Sequence, residues 1–343
     1  MTRSDGEQGI LNEDWNIHFV IRNSLFLVQY YQINFLNMKI ISGTIVFLFF
    51  LSSCNSSKKM NDQQPVKPAA TVQNNFDKEG HRGCRGLMPE NTIPAMLYAI
   101  GMGVTTLEMD IVFTKDRKAI LSHEPFFNHE ITTKPDGTFI DEKDEKNYNI
   151  YQMDYEEVKK YDVGMKPHPR FPRQQKMKAI KPLLSDVFAA VKQDMITRRR
   201  PFPYYNIETK TTPATDDIYH PKPGEFVELL MQVIKDNQME DYVIIQSFDV
   251  RTLKYLHQYY PAIKTSLLID ETDTMTWMEH INDLGFYPDV YSPHFSLVNN
   301  MLVQHCHAHK TKVIPWTVND KATIDKLKKM DVDGIITDYP DLF

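Results

Sequence analysis

From about residue 76 onward, short apolar runs alternate with amphipathic stretches. Strand-like runs end at His81, at Glu108–Ile111, at Leu121-Ser122-His123 and at Tyr205–Lys210; others are Tyr242–Gln246, Thr265–Ile269, Val290–Ser292, Val313–Trp316 and Gly334–Thr337. Between most of them lie helical stretches: Asn91–Gly101, Leu184–Asp194, Gly224–Asp236, Val250–Tyr259, Met275–Leu284, Val298–Lys310 and Lys321–Met330. This alternation predicts an α/β fold, a (β/α)8 TIM-type barrel. A doubly wound sheet fits less well, because no glycine-rich phosphate loop follows the first strand. The candidates exceed eight staves by one, so one is expected to be peripheral. The link from Asp110 to Ile120 is too short for a helix, which makes the barrel irregular between strands 2 and 3. Residues 124–181 break the alternation and read as an insertion after strand 3 that folds over the barrel mouth. Its basic residues Arg170, Arg173, Lys176 and Lys178 either steer an anion or are simply solvated.

Ahead of residue 76 the pattern changes. Met38-Lys39 opens an apolar run from Ile40 to Leu51 that ends in Leu51-Ser52-Ser53-Cys54. A basic start, an apolar stretch too short to span a bilayer and small residues at a cleavage point predict a signal peptide over 38–53. Leu51–Cys54 resembles a bacterial lipobox, which makes Cys54 the lipidation site and places the protein at the cell envelope, lipid-anchored and facing the periplasm or the surface. Residues 54–75 are Ser, Lys, Gln, Pro and Asn with few apolar positions, so a flexible tether is expected. Residues 1–37 carry acids where a basic region belongs; they read as an upstream extension, either disordered or a gene-model artefact with translation starting at Met38. Residues 76–343 form the barrel.

The chain has 343 residues, is 42% hydrophobic and carries a net charge of −6. That suits one large domain and argues against nucleic acid, whose binders need a basic surface. Besides Cys54, the cysteines Cys84 and Cys306 lie in different predicted elements and are expected to be free thiols.

The strand ends concentrate reactive groups. Side chains alternate along a strand, so Glu108 and Asp110 share a face, as do Glu208 and Lys210. Near strand C-termini in a barrel those faces meet the pocket. Three converging carboxylates repel one another and favour a cation; an all-oxygen set selects one hard divalent ion, Ca²⁺ or Mg²⁺. His81 and His123 also stand at strand ends and can serve as acid and base near neutral pH. Arg82 and Lys210 suit binding of phosphate oxygens. The parts are those of a metal-assisted phosphodiester hydrolase. A second cluster, His305-Cys306-His307-Ala308-His309, reads as a helix with exposed histidines.

The motifs Gly80-His81-Arg82-Gly83, Pro89-Glu90-Asn91-Thr92, Glu108-Met109-Asp110, Ser122-His123-Glu124, Ile207-Glu208-Thr209-Lys210, Gln246–Asp249, Trp316–Asn319 and Asp333–Asp338, in this order, resemble the glycerophosphodiester phosphodiesterase family. The resemblance spans about Gly80 to Pro340. It implies hydrolysis of a small-molecule glycerophosphodiester to glycerol 3-phosphate and an alcohol. His81 and His123 are then the catalytic pair, Glu108, Asp110 and Glu208 the metal ligands, and Arg82 and Lys210 the phosphate binders. Glu90 and Trp316 match further motif positions that shape the substrate pocket. Glu124 departs from the family, which commonly has Asp there, and puts the tilt of His123 in question. Two alternatives are phospholipase-like action on intact phospholipids, which would use an apolar rim including Phe126, Phe127 and Phe171, and a non-catalytic phosphodiester-binding lipoprotein. Head group and oligomeric state are open.

Overall fold

The computed structural model describes residues 76–343. The signal peptide, Cys54, the tether and the upstream extension all lie outside the described residues.

The chain starts with β1 (Asp77–Gly80), α1 (Ile93–Met102), β2 (Thr106–Phe113) and β3 (Ala119–Leu121). Then come a four-residue helix α2 (Tyr155–Val158), α3 (Leu184–Arg198), β4 (Tyr204–Thr209), α4 (Pro223–Asp236), β5 (Val243–Ser247), α5 (Val250–Tyr259) and β6 (Lys264–Ile269). The last elements are α6 (Trp277–Leu284), β7 (Val290–Pro293), α7 (Asn300–Ala308), β8 (Lys312–Val313), α8 (Lys321–Lys329) and β9 (Gly334–Thr337). Local chemistry sets several helix ends. Thr92 caps α1 by accepting the Ala95 N–H, and Gly103 closes it in the left-handed region. Thr276 and Glu279 form a capping box on α6.

Eight parallel staves run in the order β8-β7-β6-β5-β4-β2-β1-β9. The ring closes where the Asp333 N–H reaches Val313 O at 2.9 Å and the Ile336 N–H reaches Pro315 O at 3.0 Å. Outward residues such as Leu107, Met109, Tyr205 and Ile207 pack with the helices in one large core. Inward positions are largely polar, including Glu79, Glu108, Asn206, Gln246, Ser266 and Ser292, all buried.

One expectation becomes specific and others change. The Leu121–His123 run is no stave: β3 pairs antiparallel with β2, Ile111 opposite Leu121 and Phe113 opposite Ala119. A tight turn, closed by the Thr114 N–H to Lys118 O at 3.0 Å, joins them. So short a link can make a hairpin but not a parallel crossover. The surplus strand is therefore β3, and the third stave is β4. The seventh stave, β8, is also shorter than the expected Val313–Trp316, since Pro315 has no N–H to give a ladder. The insertion is more than a loop. Val112, Ile120, Phe127, Ile131, Ile150, Val158 and Val163 bury one another in a satellite core of their own, with Phe127 stacked on Tyr161 at 4.1 Å.

Candidate active site

The chain leaves β1 through a sharp turn. Arg82 (φ 50°) and Gly83 (φ 83°) are both left-handed, and a Cβ on Gly83 would sit 2.7 Å from the Ala95 backbone, so only glycine fits there. Asn91 is also left-handed, at φ 54°. Non-glycine residues held in this region cost energy and cluster where function demands a fixed geometry. Here the Arg82 N–H donates to Glu108 Oε2 at 2.7 Å, and the Asn91 N–H donates to Arg82 O at 3.1 Å.

His81 follows Gly80 at the top of β1. Its Nδ1 lies 2.6 Å from Asp338 Oδ1. Arg85 grips the same carboxylate through Nε at 2.9 Å and Nη2 at 3.0 Å, and the Asn319 amide donates to it at 2.7 Å. Burial would raise the pKa of Asp338, but His81 and Arg85 outweigh it and hold the carboxylate far below its usual range. An ionised Asp338 accepts the Nδ1 proton, so the free nitrogen of His81 is Nε2, 3.9 Å from Glu108 Oε2. Burial, and then Arg85, push the His81 pKa down against the pull of Asp338.

Register brings the carboxylates together. Asp110 on β2 pairs with Glu208 on β4, and Glu108 with Asn206. Oxygens of Glu108, Asp110 and Glu208 all lie within 4.8 Å of one another, and the three residues are buried. Gln246 Nε2 donates to Glu108 Oε1 at 2.9 Å. Asn91 Nδ2 donates to Asp110 Oδ2 at 2.8 Å. Lys210 Nζ is 2.7 Å from Glu208 Oε1 and 3.7 Å from Asp110 Oδ1. Burial pushes Glu208 up to about 7 and raises Glu108 well above the carboxylate range, with Asp110 adding to the push. Asp110 Oδ1 is buried with no hydrogen-bond donor. Crowded oxygens, repulsion strong enough to call for protons, and one open lone pair fit a hard divalent cation.

On the other side, His123 follows β3, and its Nδ1 is 2.7 Å from Glu124 Oε1. The longer side chain thus still reaches the imidazole and leaves Nε2 free. Burial first, then Arg82 and Lys210, push His123 down to about 4. Arg82 is clamped by Glu90, Nη1 to Oε1 at 2.8 Å, and lies 3.4 Å from Asp110. Arg82, Glu90, His123 and Glu124 share a cleft of about 130 Å³ with insertion residues such as Asn128, His168 and Arg170. Trp316 stands apart from the trio, donating to Ser292 O at 2.9 Å and packing edge-on against Phe248 and His294, each at 5.5 Å.

Some partners are absent from the sequence-derived set. Asp338, Asn91 and Gln246 lie inside motifs named above, and the parity of β5 would have pointed Gln246 inward. Arg85 and the buried Lys181, which donates to Ser122 Oγ at 2.7 Å, give no sequence signal. Of the phenylalanines expected in an apolar rim, Phe127 is fully buried and Phe171 nearly so, while Phe126 is half-buried beside Tyr219. Arg170 pairs with Glu130 and Arg173 with Asp341. In the α7 cluster His307 Nε2 lies 2.9 Å from Asp333, and His309 stacks on Tyr287. Cys84 and Cys306 are free and buried.

A family model described as "Glycerophosphoryl diester phosphodiesterase family" matches residues 81–342. A glycerophosphodiester phosphodiesterase of Caldanaerobacter subterraneus subsp. tengcongensis is 30% identical over 265 residues, which covers 76% of this chain and 93% of that one. One from Bacillus altitudinis is also 30% identical over 265 residues, 76% and 94% of the two chains. A solved structure from Silicibacter pomeroyi superposes with a TM-score of 0.70 at 28% identity, covering 78% of this chain and 91% of that one. An Oleispira antarctica phosphodiesterase, solved with the product sn-glycerol-3-phosphate, gives 0.60 at 21% identity over 77% and 94%; at that identity the likeness speaks to the fold alone.

Proposed function

The chain belongs to the glycerophosphoryl diester phosphodiesterase family, and from that premise we propose that it hydrolyses glycerophosphodiesters to glycerol 3-phosphate and an alcohol by metal-assisted acid–base catalysis. The observation that carries the reading is the buried trio Glu108, Asp110 and Glu208, ringed by Arg82, Lys210 and His81. The trio would hold one divalent ion, Ca²⁺ or Mg²⁺, which supplies Lewis acidity and charge neutralisation at the phosphate. Arg82 and Lys210 bind non-bridging oxygens and counter the charge that grows on them.

In the first step His81 Nε2 takes the proton of the substrate glycerol's 2-hydroxyl, whose oxygen attacks phosphorus. His123 Nε2 gives a proton to the departing alcohol oxygen. Water then opens the cyclic phosphate with the two imidazoles exchanging roles. Asp338 and Glu124 keep each Nδ1 occupied, so that Nε2 is the nitrogen that works. An incoming phosphate anion offsets the cationic field of Arg82 and Lys210 that depresses His123.

The lipid anchor at Cys54, and with it an envelope location, belongs to the same proposal and rests on the sequence of residues 38–75 alone. Glycerol 3-phosphate release from a glycerophosphodiester panel, with and without chelator, tests the activity. Inactivity after Ca²⁺ and Mg²⁺ are restored, or full activity in His81→Ala, would remove it. Radiolabelled palmitate incorporation that persists in Cys54→Ala would remove the anchor.

A further inference from the structure

The roof of the cleft comes from the insertion, and one roof residue has an unmet hydrogen bond. His168 is 6% exposed and lines the same cavity as Arg82 and His123. Its Nδ1 accepts the Arg170 backbone N–H at 3.2 Å. A neutral imidazole whose Nδ1 accepts must carry its proton on Nε2. That Nε2 is buried without a partner. Burial pushes the pKa of His168 down, so the group is an uncharged donor at neutral pH. A buried donor of this kind favours whatever ligand brings it an acceptor.

The rest of the cavity points the same way. Asn128 Oδ1 accepts the Glu130 N–H at 2.6 Å, which leaves the amide NH₂ as its available end, a second donor. Arg170 and Glu130 neutralise each other at 2.8 Å, so the pair offers little net charge. None of the described residues lining the cavity is Phe, Tyr or Trp, whereas quaternary ammonium groups are usually held by aromatic faces. His123, which serves the departing alcohol in the reading above, lines this cavity, and His81 is not among its lining residues.

We infer that the insertion-roofed cavity receives the alcohol half of the diester, and that His168 and Asn128 select alcohols bearing further hydroxyl groups over quaternary ammonium ones. The inference rests on the proposed phosphodiesterase reaction and on His123 facing the leaving group. It makes polyol diesters the preferred substrates and makes His168 a specificity-determining residue.

The test compares kcat/KM for glycerophosphoglycerol and glycerophosphocholine on the full chain, for wild type, His168→Ala and His168→Gln. Wild type is expected to favour the polyol diester. His168→Ala should lower the ratio of the two values about tenfold, the scale of one lost hydrogen bond, and His168→Gln, whose amide can donate, should recover part of it. Thermal melts check folding; should His168→Ala not fold, Asn128→Ala removes the second donor without adding a charge and should lower the same ratio. Equal loss on both substrates would put His168 on the shared glycerol phosphate half and overturn the inference. An unchanged ratio in a folded variant, or a wild-type preference for the choline diester, would do the same. Hydrolysis of neither diester by wild type would bring down the phosphodiesterase reading itself, and this inference with it.

Discussion

The two ends of the barrel use the same residue type in opposite ways. At the strand starts, Asp77 accepts the hydroxyls of Thr105 and Thr106 at 2.6 and 2.7 Å. Asp289 accepts the Thr265 N–H at 2.9 Å, and Asp333 the Val313 N–H at 2.7 Å. Each of these acids ties one element to the next. At the strand ends, Glu108, Asp110 and Glu208 crowd one another, and one oxygen has no donor at all. Acids that are satisfied hold the fold; acids left in conflict are held by it. The division follows the general rule that one barrel face carries stability and the other chemistry.

The sharpest way to break this contrast is at the mouth. His123→Ala and His81→Ala should each lower kcat/KM by roughly 10²–10⁴, the usual worth of a general acid or base, while leaving the melting temperature nearly unchanged. Glu208→Gln should cost more than about 100-fold in kcat/KM. It should also hold or raise the Tm measured in chelator, because a neutral amide removes a repulsive charge. A marked loss of Tm there would mean that the trio is structural after all.

At the opposite end the signs reverse. Asp333→Ala should destabilise by about 1–3 kcal/mol, the cost of an orphaned N–H, with kcat/KM retained; denaturant melts and initial rates decide it. The smallest effect is a pH slope. Glu208 binds its proton more tightly folded than unfolded, since burial raises its pKa from the usual 4.5 to about 7. Between those values the native state carries the extra proton, so its stability falls as pH rises through the window. Melts in chelator should show that decline, and saturating Ca²⁺ or Mg²⁺ should flatten it.

How far the sequence reveals this site depends on whether a relation is local. Glu108 and Asp110 are two apart on one strand, so strand parity alone places them side by side. Glu208 follows by the same parity, and the β2–β4 register does the rest. The clamp on His81 is different. Asp338 comes to it only because the last stave closes on the first, Gly80 opposite Thr337, and no periodicity encodes that partner. Arg85 is hidden for the same reason. The sequence yields one candidate beyond eight but does not say which is the surplus one, because a three-residue apolar run looks alike in a hairpin and in a stave. Only the tight Thr114–Lys118 turn tells them apart. His168 gives no signal either, since its meaning lies in a missing contact.

The β2–β3 hairpin has a consequence for how such a molecule can diversify. The long segment leaves from β3, which pairs with no stave but β2, and it has its own apolar centre. Its tip can therefore vary in length without adding or removing a stave, while Val112 of β2 and the bond from Gln174 to Arg85 O tie its base to the barrel. In the proposed reaction the segment that roofs the leaving group also begins at His123, so a change in the roof is felt at the acid that serves the same alcohol.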